Sequence, residues 1–315
     1  MRSVTRAAVA ALALALGACG NYSTEDLRFL AALPTREDLH VSVPTDGNAG
    51  AVTMCGWPGR SDVWLWAKPT SDGLNRAVGF VISLVDVVRQ YPPTAREEDL
   101  RRWGPFPDKN HPGHEIQIVI RRSYPAGPDA PPRHNYRFEA RRAGAPTFDP
   151  LIVGTFAGAS SSRGHGTVDL YFENFWNVGV NDDTTPHGTM DIAYDRASDP
   201  VTIDLDLTND GFDVVQFGYG FAGYPDGRGR FDYRFRKLNG DVLTVTTGYD
   251  ATGAGRARVD YTPKDAVTPL GTFQHCWDAA ACLTYVNDPT DYTCGAPCVL
   301  GSPASCVPVP APAPF

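Results

Sequence analysis

From His114 onward, apolar and polar residues alternate with a period of two. In "HEIQIVIRR", Ile116, Ile118 and Ile120 fall on one side, Glu115 and Gln117 on the other. "NYRFEARR" sets Tyr136, Phe138 and Ala140 against Arg137, Glu139 and Arg141, and the alternation returns in "TVDLYFENF", "GTMDIAYD", "VTIDLDLT", "FDVVQFGYGF", "RFDYRFRK", "DVLTVTT" and "ARVDYT". Turn sequences separate these runs: Asn209-Asp210-Gly211, Pro225-Asp226-Gly227, Asn239-Gly240 and Gly253-Ala254-Gly255. Loops this short demand antiparallel neighbours, because a parallel connection needs a crossover of about a dozen residues. The pattern predicts a mainly β chain, an antiparallel up-and-down meander of about ten strands closed into a barrel or bent into a strongly curved half-barrel.

The patterning before His114 is helical. "STEDLRFLAAL" places hydroxyl and acidic residues ahead of Leu27, Leu30 and Ala31, with Pro34 beyond, as a capped helix requires. "AVGFVISLVDVV", residues 77–88, is apolar around most of its circumference and reads as a buried helix, although its β-branched content also admits a strand. In "TAREEDLRRW" the spacing of Thr94 and Glu97 fits a capping box and predicts a short charged helix. A long meander must have its edges closed or covered, and the 77–88 segment is a natural plug for a curved sheet.

The first residues carry an address. Arg2 and Arg6 precede an apolar run, Ala7 to Leu16, that is shorter than the roughly 20 residues of a transmembrane helix and has the layout of an export signal. Leu16-Gly17-Ala18-Cys19 resembles the lipobox of bacterial lipoproteins. That resemblance implies removal of residues 1–18, diacylation of Cys19 and an envelope location, with the outer membrane favoured because Gly20 is not Asp. Two or more acyl chains give a stable membrane anchor where one is marginal. Of seven cysteines, loss of Cys19 to the anchor leaves six: Cys55, Cys276, Cys282, Cys294, Cys298 and Cys306. In an oxidising compartment these read as disulfides of open connectivity, with Cys55 bonded into the C-terminal cluster because that cluster is odd in number. The expected organisation is a signal at 1–18, an N-terminal helical segment at 19–110 packing on the sheet, a β domain at 111–263, a disulfide-rich appendage at 264–306 and a Pro-rich tail at 307–315.

A curved sheet around helices resembles, in architecture, the half-barrel of periplasmic lipoprotein carriers. Across "WGPFPD", the strands and "HCWDAAACLTY" the chain is similar to envelope lipoproteins of myxobacterial type, a likeness that implies no activity. A membrane-embedded barrel is not expected, even though the chain ends in Phe315. The polar faces carry Asp204, Asp206, Arg234 and Arg236, and "VPVPAPAPF" lacks the backbone N–H groups of a strand.

A formal charge of −8 and the absence of a basic block argue against a nucleic-acid partner. The chemical motifs are weak. Gly218-Tyr219-Gly220-Phe221-Ala222-Gly223 has the letters of a dinucleotide fingerprint but leads into another strand rather than a helix, so no cofactor is expected. Ser160, Ser161, Ser162 and His165 share one loop without the G-x-S-x-G elbow. Asp204, Asp206, Asn209, Asp210 and Asp213 lack calcium-loop spacing, and His111 with His114 lacks a third ligand, so no metal is expected. Tyr136, Phe138, Phe172, Phe231, Tyr233 and Phe235 fall on inward faces of several strands, either as packed core or as the lining of a pocket for a hydrophobic small molecule. The expected role is that of a lipid-anchored envelope lipoprotein that binds such a ligand or scaffolds a partner. A hydrolase or carbohydrate-active enzyme with a site assembled from separate strands is the alternative, and a purely structural role the third.

Overall fold

In a computed structural model the described residues are 22–40, scattered positions between 55 and 82, 89–125, 127, 130–158, 163–181, 185, 187–208, 214–288 and 298–308. They form one open antiparallel sheet of fifteen strands in strict chain order. The strands are β1 (Ala95–Glu97), β2 (Leu100–Pro107), β3 (His114–Ser123), β4 (Arg133–Arg142), β5 (Asp149–Gly158), β6 (Gly164–Tyr171), β7 (Thr189–Asp195), β8 (Val201–Thr208), β9 (Val214–Gly223), β10 (Gly229–Lys237), β11 (Val242–Tyr249), β12 (Gly255–Thr262), β13 (Gly271–Trp277), β14 (Leu283–Asp288) and β15 (Cys298–Gly301). Helices α1 (Thr24–Leu30) and α2 (Arg36–Leu39) precede the sheet, and α3 (Phe172–Val178) interrupts it. No helix among the described residues is long and apolar enough to cross a membrane.

The predicted meander is present, but it begins earlier and ends later than the alternation suggested. The short charged helix expected in "TAREEDLRRW" is instead a hairpin, with Ala95 paired to Arg102 and Glu97 to Leu100. Thr94 does not cap a helix; its Oγ donates to the carbonyls of Arg102 and Gly104. At the other end, β13 to β15 carry the sheet to Gly301.

Register puts even-numbered residues of β3 to β7 and odd-numbered residues of β8 to β13 on one face. That face is covered by the N-terminal segment: Phe29, Leu33, Leu39, Val63, Trp64, Val78 and Ile82 share one core with Ile120, Ile152, Leu170, Ile192, Ile203, Val245 and Trp277. The predicted 77–88 helix lies mostly outside the described residues; within it Val78, Gly79 and Ile82 are helical, and Val78 and Ile82 are buried. The segment is fastened at both ends of the strand order. Near the first strands, Ser23 and Asp26 form a capping box on α1, and the buried Asp26 carboxylate binds Arg101 Nε at 2.7 Å and Arg96 Nε at 3.0 Å. Near the last strands, Cys55 is bonded to Cys282, Ser61 N–H donates to Ala281 O, and Trp64 packs on Trp277. A second bridge joins Cys276 to Cys306, and Cys298 is also disulfide-bonded; Cys294, like Cys19, lies outside the described residues.

Large rings fit this face because glycines stand opposite them. Tyr136 pairs with Gly154, Tyr194 with Gly166, Tyr249 with Gly229 and Trp277 with Gly255. A Cβ at Gly154 or Gly229 would come within 2.1 Å of the facing tyrosine ring or hydroxyl. A ring lying across a neighbouring strand's glycine fills the space that the absent side chain leaves.

Candidate binding surface

The six aromatic candidates belong to the packed face. Tyr136, Phe138, Phe231 and Tyr233 are buried strand residues, and Phe235 is partly buried against the same core. Phe172 is not on a strand; it opens α3, where Phe172, Phe175 and Val178 turn one buried side inward. These side chains touch one another and the N-terminal segment: the Phe231 and Tyr233 centroids lie 6.3 Å apart, those of Tyr233 and Phe235 5.3 Å.

The other candidates are dispersed. Gly218 to Gly223 run along β9, with no helix to receive a phosphate. His165 sits on β6 opposite Asp195, while Ser160 to Ser162, Asn209, Asp210 and Asp213 lie outside the described residues. The two histidines serve structure rather than a shared site: in the loop, His111 Nδ1 meets Asp108 Oδ2 at 2.8 Å, while His114, at the start of β3, places Nε2 3.0 Å from Val178 O at the end of α3. Among the described residues no group of three or more His, Cys, Asp or Glu side chains is arranged to hold a metal ion.

The opposite face of the sheet is where charge is organised. One cross-strand row runs Asp169, Asp191, Asp206, Gly218, Arg234, Thr244, Asp260. The next runs Ala193, Asp204, Gly220, Asp232, Thr246, Arg258. β6 to β8 therefore form an acidic strip and β10 to β12 an arginine-bearing strip, divided by the small residues of β9. Asp204 and Asp206 on β8 face Arg234 and Arg236 on β10 across two strand spacings, about 10 Å, and no ion pair joins them among the described residues. Gly218 has no side chain to fill the gap. The result is a groove of about 520 Å³ lined by Asp204, Asp206, Gln216, Gly218, Arg234 and Arg236 among others.

The acidic strip is under electrostatic tension. Desolvation, then repulsion from Asp191, raises Asp169 above the ordinary carboxyl range; desolvation, then Asp206, raises both Asp191 and Asp204. Across the groove, Arg234 and Arg236 form no ion pair among the described residues. Each strip would gain from a partner of opposite charge.

A second polar site lies deeper. His134, on the packed face near Arg122 and edge-on to Phe29, is 5% exposed, and neither ring nitrogen has a hydrogen-bond partner. Burial, assisted by Arg122, lowers its pKa to about 4, so it is neutral at pH 7. It borders a cleft of about 380 Å³ beside Arg28, Tyr124, Pro131 and Pro132. Among the described residues neither ring nitrogen is hydrogen-bonded to a nucleophile or a carboxylate, the pairing that orients a catalytic base.

No known protein family matches the chain, nor does any curated protein or solved structure.

Proposed function

We propose that the chain is a lipid-anchored envelope lipoprotein, tethered through Cys19, that scaffolds a partner on the charged outer face of its sheet. The observation carrying this reading is the groove floored by Gly218, with Asp204 and Asp206 on one wall and Arg234 and Arg236 on the other. A hydrophobic ligand on the inner face is the weaker alternative, because the chain's own helices and aromatic side chains occupy that space. The outer face offers the reverse: exposed charges of both signs, with Asp204, Asp206, Arg234 and Arg236 in no ion pair among the described residues. Complementary charge of this kind favours orientation and encounter rate more than raw affinity, which suits a scaffold. The export signal, the lipobox and the bonded cysteines support the envelope placement.

The test is photo-cross-linking in cells with a photoreactive residue at Gln216, in the groove, and at Arg137, on the same face of β4. A discrete adduct from position 216, lost in the D204N/D206N and R234Q/R236Q variants and absent from position 137, is expected. Equal labelling from both positions, or an adduct indifferent to the charges, refutes the scaffold reading. Incorporation of labelled palmitate into wild type but not C19S tests the tether.

A further inference from the structure

Beyond the groove, the same face holds a pocket of about 480 Å³ on β10 to β13, lined by Arg230, Thr246, Gly248, Arg256, Arg258 and Gln274 among others. Its construction follows from register. Arg230 pairs with Gly248, Gly248 with Arg256, and Arg256 with Cys276. Two arginines thus flank a glycine on the strand between them, about 10 Å apart, and nothing projects from Gly248 into the space above it. Asp232, Thr246, Arg258 and Gln274 form the adjoining row, and Asp260 also lines the pocket; the two carboxylates are engaged by Arg230 and Arg258. Pro303 and the Cys276–Cys306 bridge close one end.

Arg230 is the unusual member. Its residue is 4% exposed, and its Nη2 lies against Asp232 Oδ2, but Nε and Nη1 have no hydrogen-bond partner. A guanidinium carries five donors, and leaving charged donors buried and unpaired costs more than an ordinary missing hydrogen bond. Arg256, by contrast, is exposed and makes no ion pair among the described residues. Arg258 is already engaged by Asp260 at 2.8 Å.

We infer that this pocket binds a phosphoryl group above Gly248, held between Arg230 and Arg256. Donors converge from opposite sides, together with the Thr246 hydroxyl and the Gln274 amide, and a tetrahedral group with three or more acceptor oxygens meets such an arrangement better than a planar carboxylate. Arginine is well suited to this contact, since its planar fork engages two phosphate oxygens at once. The group can belong to a soluble phosphate ester or to a lipid headgroup. The site does not depend on the scaffold reading, because it shares neither Asp204, Asp206, Arg234 nor Arg236.

The experiment uses the full-length chain with C19S in every sample, so that no acyl anchor holds it to vesicles, and this otherwise unaltered chain is the wild-type reference. It combines calorimetric titration with inorganic phosphate and with glycerol phosphate, and co-sedimentation with phosphatidylcholine vesicles containing phosphatidic acid. Wild type is expected to bind at least one of these probes. R256Q removes an exposed charge and should weaken binding about tenfold or more while melting as wild type does, and G248V, which puts a side chain into the space above a buried glycine, should weaken binding at least as much. A stronger signal from glycerol phosphate identifies a soluble ligand, and one from the vesicles a headgroup. No binding to any probe at about 10 mM phosphate groups, or binding that both variants retain, overturns the inference.

Discussion

Asp26 is the residue through which the N-terminal helix holds the first strands. Its side chain is fully buried, Oδ1 accepts from Arg101 at 2.7 Å and Oδ2 from Arg96 at 3.0 Å, and the same carboxylate accepts the Ser23 N–H at 2.9 Å. Arg101 is 6% exposed and stacks 4.7 Å above the Phe29 ring, so without Asp26 its buried charge keeps only the backbone carbonyls of Glu97 and Leu100. Removing one partner of a buried pair costs about 3–5 kcal/mol, and loss of the capping interaction about 1 kcal/mol; because the two share one carboxylate they do not simply add. Asp26→Ala should therefore destabilise by about 4 kcal/mol, lowering the melting temperature followed by circular dichroism by roughly 10 °C. A double-mutant cycle with Arg101→Met isolates the pair and should return a coupling of at least about 2 kcal/mol. The pH dependence follows from sign. Despite burial, hydrogen bonds from Ser23, Arg101 and Arg96 bring the carboxyl to about 2, below its ordinary 3.8. The contribution is thus complete above pH 4 and disappears as pH falls toward 2. A D26A protein that melts within 2 °C of wild type (roughly the effect of 1 kcal/mol or less), or a cycle with zero coupling, refutes the reasoning.

Other outcomes follow from the same structure. His134 is held neutral at about 4 in the folded state against an ordinary 6.5, so the unfolded chain takes up the proton first and stability falls as pH drops from 6.5 to 4, by at most about 3 kcal/mol. His134→Phe should abolish that acid-sensitive interval in denaturation curves without loss of stability at pH 7. Replacing both Cys55 and Cys282 with serine opens a loop of 227 residues and should cost about 5 kcal/mol in the chain-entropy account, read from denaturant midpoints. Asp206→Asn relieves the repulsion that raises Asp191 and Asp204; it should raise stability at pH 7 by no more than about 1 kcal/mol after solvent screening, with the gain vanishing near pH 4.

What could be read in advance depended on how locally each feature is encoded. Strands from His114 to Thr262, β5 excepted, announced themselves because one face lies under the N-terminal segment and the other carries charge, so their residues alternate. β2 did not, because Leu100, Arg101, Trp103 and Gly104 are all buried, and Arg101 is buried by Asp26, 75 residues away. The Thr94–Glu97 spacing matches a capping box, but strand pairing with Leu100 to Arg102 made the segment a hairpin instead. In β5, Leu151 and Ile152 are both buried beside a bulge facing Phe138 and Glu139, which breaks the period of two. Phe172 followed the strand alternation by accident; its spacing to Phe175 and Val178 was the helical signal that could have found α3. The groove was half visible. Asp204, Asp206, Arg234 and Arg236 were evident as polar faces, and meander order places β9 between them, but the role of Gly218 as its floor required the register. Nothing local marked Arg230, which is buried on a face where Arg234, Arg236, Arg256 and Arg258 are exposed.

Native mass spectrometry of protein extracted gently from cells probes the account most directly, because it weighs the anchor, the crosslinks and the contents of the interior together. The predicted species is a chain starting at residue 19, acylated there, with its other cysteines oxidised and no apolar molecule retained inside. An unacylated chain, or one carrying a stoichiometric hydrophobic guest that survives transfer, contradicts a tethered protein whose sheet is filled by its own helices.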